Sequence, residues 1–112
     1  GQSKTYDVRI ILGHRTAELV TDYYPVVELD TIAVKGKTIG VKVYTIVEIE
    51  DESGHKKFLR AYYDGKWKVA SLLTTKLKES NPLLSTYYDN MAERMYSVPP
   101  INWDGVYRPT SK

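Results

Sequence analysis

The chain has 112 residues, enough for one domain with an appendage, and its 42% hydrophobic and 27% charged residues indicate a folded protein rather than a disordered one. A net charge of +2, with the lysines spread along the chain, gives no reason to expect a nucleic-acid partner. Cysteine is absent, which excludes disulfides and thiolate metal sites; no apolar run approaches the ~20 residues of a membrane span, and the N-terminus has no signal-peptide pattern. A cytoplasmic chain without membrane contact of its own is expected.

Residues 1–6 are polar and read as a lead-in. Residues 7–12, Asp-Val-Arg-Ile-Ile-Leu, read as a short strand ended by Gly13. Residues 14–20 read as a short helix with Ala17 and Val20 on one face, closed before Pro25 because the residue preceding a proline leaves the helical region. A β-rich run follows. Val26, Val27, Leu29, Ile32 and Val34 lead into the basic turn Lys35-Gly36-Lys37, and Val41, Val43, Tyr44, Ile46 and Val47 lead out of it. Branched and aromatic residues on both sides of a Gly-containing loop spell an antiparallel hairpin reaching to about residue 50. The first half is therefore β-α-β-β. The two lysines at the hairpin tip suit an anion; the ordinary alternative is a pair of solvated lysines that keep a strand end soluble.

Residues 51–57 are polar and read as a linker, because the Val/Ile-rich composition gives way there to Leu, Tyr, Ala, Lys and Met. Residues 58–98 read as a helical appendage. Its first piece, 58–63, fits either helix or strand. Residues 66–79 spell a helix with Val69, Leu72, Leu73 and Leu77 on one face. Asn81-Pro82 separates it from a third helix carrying Leu84, Tyr88, Met91 and Met95. Such paired helices resemble a tetratricopeptide-like hairpin, although a single unit makes no repeat. Residues 99–112 form an aromatic tail that is expected to pack back on the domain. The ten tyrosines include the doublets Tyr23-Tyr24, Tyr62-Tyr63 and Tyr87-Tyr88, which read as packing residues with their hydroxyls at the surface.

Several chemical motifs fail on inspection. Gly36-Lys37-Thr38 ends like a phosphate-binding loop, but position 31 is Thr instead of the required Gly, and a strand follows where a helix is needed. His14 and His55 have no companion ligands in sequence, so zinc is not expected. The acidic pairs Glu48/Glu50 and Asp51-Glu52 fit a solvated face better than a catalytic dyad.

A set of short motifs in a fixed order carries a more specific resemblance. Gln2-Ser3-Lys4-Thr5-Tyr6-Asp7-Val8, Thr16-Ala17, Glu28-Leu29-Asp30, Val34-Lys35-Gly36-Lys37 and Val43-Tyr44 span residues 1–47. In the second half come a Tyr62-x-x-Gly65-x-Trp67 turn, Pro99-Pro100 and Trp103-Asp104-Gly105-Val106-Tyr107. Together they resemble the C-terminal part of the class III adenylate/guanylate cyclase catalytic domain, followed by the helical extension and Trp-Asp-Gly tail of many bacterial members. Asp7 stands where that family has Gly. The resemblance implies an α+β fold in which residues 1–50 supply the β-α-β-β portion of a ferredoxin-like cyclase sheet.

It also implies a parent enzyme, a phosphorus–oxygen lyase of intracellular signalling, that converts ATP or GTP to a cyclic nucleotide and pyrophosphate as a homodimer. Lys35 would be the nucleotide phosphate-binding residue and the one catalytic contributor in this chain. Two Mg²⁺ or Mn²⁺ ions would be held by residues outside it, so the 112-residue chain alone is expected to be inactive. Two other readings stay open: a non-enzymatic protein-interaction module built on the tetratricopeptide-like helical hairpin, and a small anion-binding domain. Membrane anchoring of the parent, its regulatory input and the choice between ATP and GTP are not legible.

Overall fold

The computed structural model describes Tyr6 and residues 8–34 and 39–109. Over these residues the fold is α+β, with a three-stranded antiparallel sheet and four helices. Strand β1 (Leu12–Gly13) leads directly into helix α1 (His14–Val20), followed by β2 (Val26–Ala33) and β3 (Gly40–Ile46). The helical half is α2 (Glu52–Tyr63), α3 (Trp67–Ser80), a 3₁₀ turn (Pro82–Leu84) and α4 (Ser85–Arg94). No helix among the described residues is long and apolar enough to cross a membrane.

The sheet order is β1-β3-β2, and β2 and β3 form the expected hairpin, paired from Val26↔Ile46 to Ala33↔Gly40. A bulge between Glu28 and Asp30 interrupts the ladder. One extra residue moves the side-chain alternation by one position. Burial follows Val27 and Leu29 before the bulge and Asp30 and Ile32 after it, so an aspartate is carried inside. The expected strand over 7–12 is shorter: only Leu12 and Gly13 pair with β3, opposite Tyr44 and Val43, while the far end of β3 pairs with β2 alone.

Residues 51–57, expected as a linker, instead cap and begin α2. The Asp51 carboxylate accepts a hydrogen bond from the Gly54 amide at 2.8 Å, satisfying one of the free donors at the helix start. The polar run masked a helix whose buried residues are His55, Phe58, Leu59, Ala61 and Tyr62. Its C-terminus closes on Gly65 at φ 81°, with Gly65 N–H donating to Tyr62 O and Lys66 N–H to Ala61 O, the paired bonds of a Schellman motif.

Helix α3 lies where expected but is rotated. Its buried stripe is Trp67, Ala70, Thr74 and Leu77, whereas Val69 and Leu72 are 50% and 76% exposed. Ala70 leaves room for a close approach that Val69 does not, and Trp67 stacks on Tyr62 of α2 at 5.9 Å between ring centres. The stripe expected on α4 is buried throughout at Leu84, Tyr88, Met91 and Met95. One hydrophobic cluster joins Val27, Leu29, Ile32 and Val43 of the hairpin to Phe58, Tyr62, Tyr87 and Met91 of the helices.

Candidate functional site

Lys35, expected from the resemblance to bind nucleotide phosphate, lies outside the described residues, as does Lys37. The two stems of their turn are described. Ala33 and Gly40 are the last pair of the β2–β3 ladder. The C-terminal tail lies across both. Tyr107 pairs with β2 in parallel: its N–H donates to Thr31 O at 2.8 Å and its carbonyl accepts from Ala33 N–H at 3.0 Å. Val106 packs over Gly40 so closely that a Cβ placed there would come within 2.7 Å of a Val106 methyl.

Each residue of the Trp-Asp-Gly-Val-Tyr motif has a local task in this arrangement. The Trp103 indole N–H donates to Tyr62 O and Tyr63 O, both at 3.1 Å, at the carbonyl end of α2. The Asp104 carboxylate accepts from the Val106 amide at 3.1 Å and takes two hydrogen bonds from Arg108, at 3.0 Å each. Those bonds, first that from Arg108, pull the Asp104 carboxyl down to about 2. Gly105 turns the chain at φ 87°, a left-handed conformation that a side chain would strain. Tyr107 then lays its ring 3.5 Å from the guanidinium carbon of Arg94.

Beneath the tail is a buried charge pair that sequence reading did not isolate. Arg94 Nη1 donates to Asp30 Oδ2 at 2.7 Å and to the Tyr62 hydroxyl at 2.8 Å. Asp30 also accepts from the Tyr6 hydroxyl at 2.9 Å and from the Thr31 amide at 2.7 Å. Burial pushes the Asp30 carboxyl above the ordinary carboxylate range, against the pull of Arg94, Tyr6 and Thr31. Burial likewise raises the Tyr6 and Tyr62 hydroxyls, with the Asp30 charge adding to it, so both stay protonated. The pair is occupied on every side and serves to hold β2 to α4.

A second polar chain fixes the other end of β2. His55 is 3% exposed; its Nε2–H donates to Glu28 O at 2.7 Å, and its Nδ1 therefore accepts from the Tyr88 hydroxyl at 2.8 Å. Asn81 donates to Tyr88 and to Asp51 O, while its own oxygen accepts from the amides of Glu50 and Asp51. The Tyr87 hydroxyl donates to Leu29 O at 2.6 Å. Tyrosine hydroxyls expected at the surface are thus internal hydrogen-bonding groups at Tyr62, Tyr87 and Tyr88, while Tyr23 and Tyr24 remain exposed.

Between β2, β3 and α2 runs an open groove of about 490 Å³. Glu28, Lys42 and Tyr63 line it and satisfy one another: Lys42 Nζ and the Tyr63 hydroxyl both donate to Glu28 Oε2, at 2.9 and 2.8 Å. Lys56 and Arg60 of α2 add exposed cations to its rim. Among the described residues no group of three or more His, Cys, Asp or Glu converges as a metal-ligand set. No protein-family model, curated protein or solved structure matches this chain.

Proposed function

We propose that the chain is the C-terminal part of a class III adenylate or guanylate cyclase catalytic domain, joined to a helical extension and its tail. The observation that carries this reading is the β1-α1-β2-β3 order, with the lysine turn joining two strands that pair up to Ala33↔Gly40. The Trp-Asp-Gly-Val-Tyr motif adds support, since every one of its residues contributes to seating the tail on that hairpin. In this reading the parent is a homodimer with a ferredoxin-like catalytic sheet, and this chain supplies that sheet's far strands.

In the parent reaction the ribose 3′-oxygen attacks the α-phosphorus of ATP or GTP. The bond to the β-phosphate oxygen breaks, and the 3′,5′-cyclic nucleotide and pyrophosphate form. Lys35 contributes a cation to the terminal phosphate, favouring the charge that gathers on departing pyrophosphate. In this reading two Mg²⁺ or Mn²⁺ ions, held by residues outside this chain, would activate the 3′-oxygen and neutralise phosphate charge.

The test is cyclic nucleotide formation with Mn²⁺ and ATP or GTP, by the purified 112-residue chain and by a protein extended upstream through the remaining half-domain. Product from the extended protein alone supports the proposal. Product from the short chain contradicts its being an incomplete domain. No product from either favours a second reading, a protein-interaction module, for which the outward-facing Val69, Leu72 and Tyr96 are the supporting observation.

A further inference from the structure

The helical half carries an open groove of about 630 Å³ between the start of α3 and the segment that leaves α4. Val69, Tyr96 and Val98 line it, and Tyr96 and Val98 are 92% and 83% exposed. Leu72, one turn beyond Val69 on α3, extends the apolar strip. The charged residues of the lining are Lys66 and Lys68, both exposed, and no acidic residue lines the groove. Among the described residues neither lysine forms a salt bridge. Lys68 stands in the first turn of α3, where the helix dipole opposes a cation, so its charge does not serve the helix. Contiguous exposed apolar surface rimmed by charge marks a contact with another molecule.

The hairpin half bears a surface of matching chemistry and opposite charge. Helix α1 runs on past Val20, whose carbonyl accepts from the amides of Tyr23 and Tyr24, both at 2.9 Å. Spacings of four residues then set Leu19 beside Tyr23 and Glu18 beside Asp22. Leu19 and Tyr23 are 66% and 80% exposed, and both acids are exposed as well. Glu18 meets His14 at 3.3 Å, whereas Asp22 forms no salt bridge among the described residues. Helix α1 packs against β1 and β3, and α3 against α2 and α4, so the two surfaces belong to different halves of the fold. We propose that α1 of one copy docks in the groove beside α3 of a second copy, with Leu19 and Tyr23 against Val69 and Val98, and Asp22 toward Lys66 and Lys68. The two surfaces differ, so the contact is head-to-tail, and each copy offers α1 to one neighbour and its groove to another. A single helical turn covers little area, so the association is weak and falls with added salt. It does not rest on the cyclase reading.

The test is sedimentation of the 112-residue chain at concentrations up to about 1 mM, where mass action favours a weak contact. Wild type is compared with two double variants. Lys66→Glu with Lys68→Glu disables the groove and leaves α1 intact. Leu19→Ser with Tyr23→Ser disables α1 and leaves the groove intact. All four positions are exposed, and an acid in the first turn of α3 suits the helix dipole, so thermal melts close to wild type are expected for both.

The wild-type average mass is expected to rise with concentration, and each double variant alone to stay monomeric. An equimolar mixture of the two variants should form a dimer of one of each and nothing larger, because one working α1 and one working groove remain. A wild type that stays monomeric at the highest concentration overturns the proposal and leaves the groove to a different partner. A folded variant that still associates alone overturns it too, since the contact then lies elsewhere. So does a mixture of folded variants that stay apart.

Discussion

Arg94 and Asp30 are 64 residues apart in sequence and meet at 2.7 Å in the interior, where Asp30 has no exposed surface. The contact joins the end of the last helix to the middle of the hairpin. A buried pair gains little over an apolar pair of the same shape, but removing one partner strands the other. Asp30→Ala leaves Arg94 and the Tyr6 hydroxyl without their acceptor. A loss of about 3–5 kcal/mol is expected in urea unfolding, and similarly for Arg94→Ala. The double variant should lose clearly less than the sum, and Arg94→Lys should rescue poorly, since lysine cannot reach Asp30 and Tyr62 while stacking on Tyr107.

Acid should weaken the fold through His55. Burial lowers its pKa from the ordinary 6.5, against a smaller opposing pull from Glu28. The unfolded chain then takes up a proton at this position near pH 6.5, and the folded chain only at lower pH. The contribution is complete above about 6.5 and falls as the pH drops below it, by at most ~1.4 kcal/mol per unit. Urea midpoints at pH 7.5 and 5.5 measure this. His55→Gln should shrink the difference between the two, although it also costs stability at both.

The Schellman turn at Gly65 demands a left-handed residue at φ 81°. Gly65→Ala should destabilise by roughly 1 kcal/mol, with a further cost from the Trp103 ring, which a Cβ would approach to 3.3 Å. A fall of about 4–8 °C in Tm per kcal/mol makes this readable in a thermal melt.

Asp51 caps α2 within a run that looks like a linker. Asp51→Ala should cost about 0.5–2 kcal/mol, while Glu52→Ala, one residue along and exposed, should be nearly neutral. Equal effects of the two would contradict the capping role.

Periodicity made the hairpin and α4 legible, since Val/Ile alternation and the Leu84, Tyr88, Met91, Met95 spacing are both enforced by burial. It misled at α3, where packing chose Trp67 and Ala70 over Val69 and Leu72; size at the helix contact, not hydropathy, set the rotation. Composition misled at 51–57 because a capped polar first turn looks like a linker. The buried network was not legible: Asp30 enters the core through a bulge, and no local pattern announces one extra residue in a ladder. The tail motif was visible as residues, but its role required Gly40 and Val106 to be seen together.

In the proposed cyclase reading, the basic turn of this hairpin serves a nucleotide phosphate. Its most direct test is kcat/KM for cyclic nucleotide formation in the upstream-extended protein, wild type against Lys35→Ala. A loss of about 10-fold or more, equivalent to ~1.4 kcal/mol of transition-state stabilisation, is expected. Activity in wild type with no loss in Lys35→Ala would contradict the phosphate role and leave Lys35 a solvated residue at a strand end.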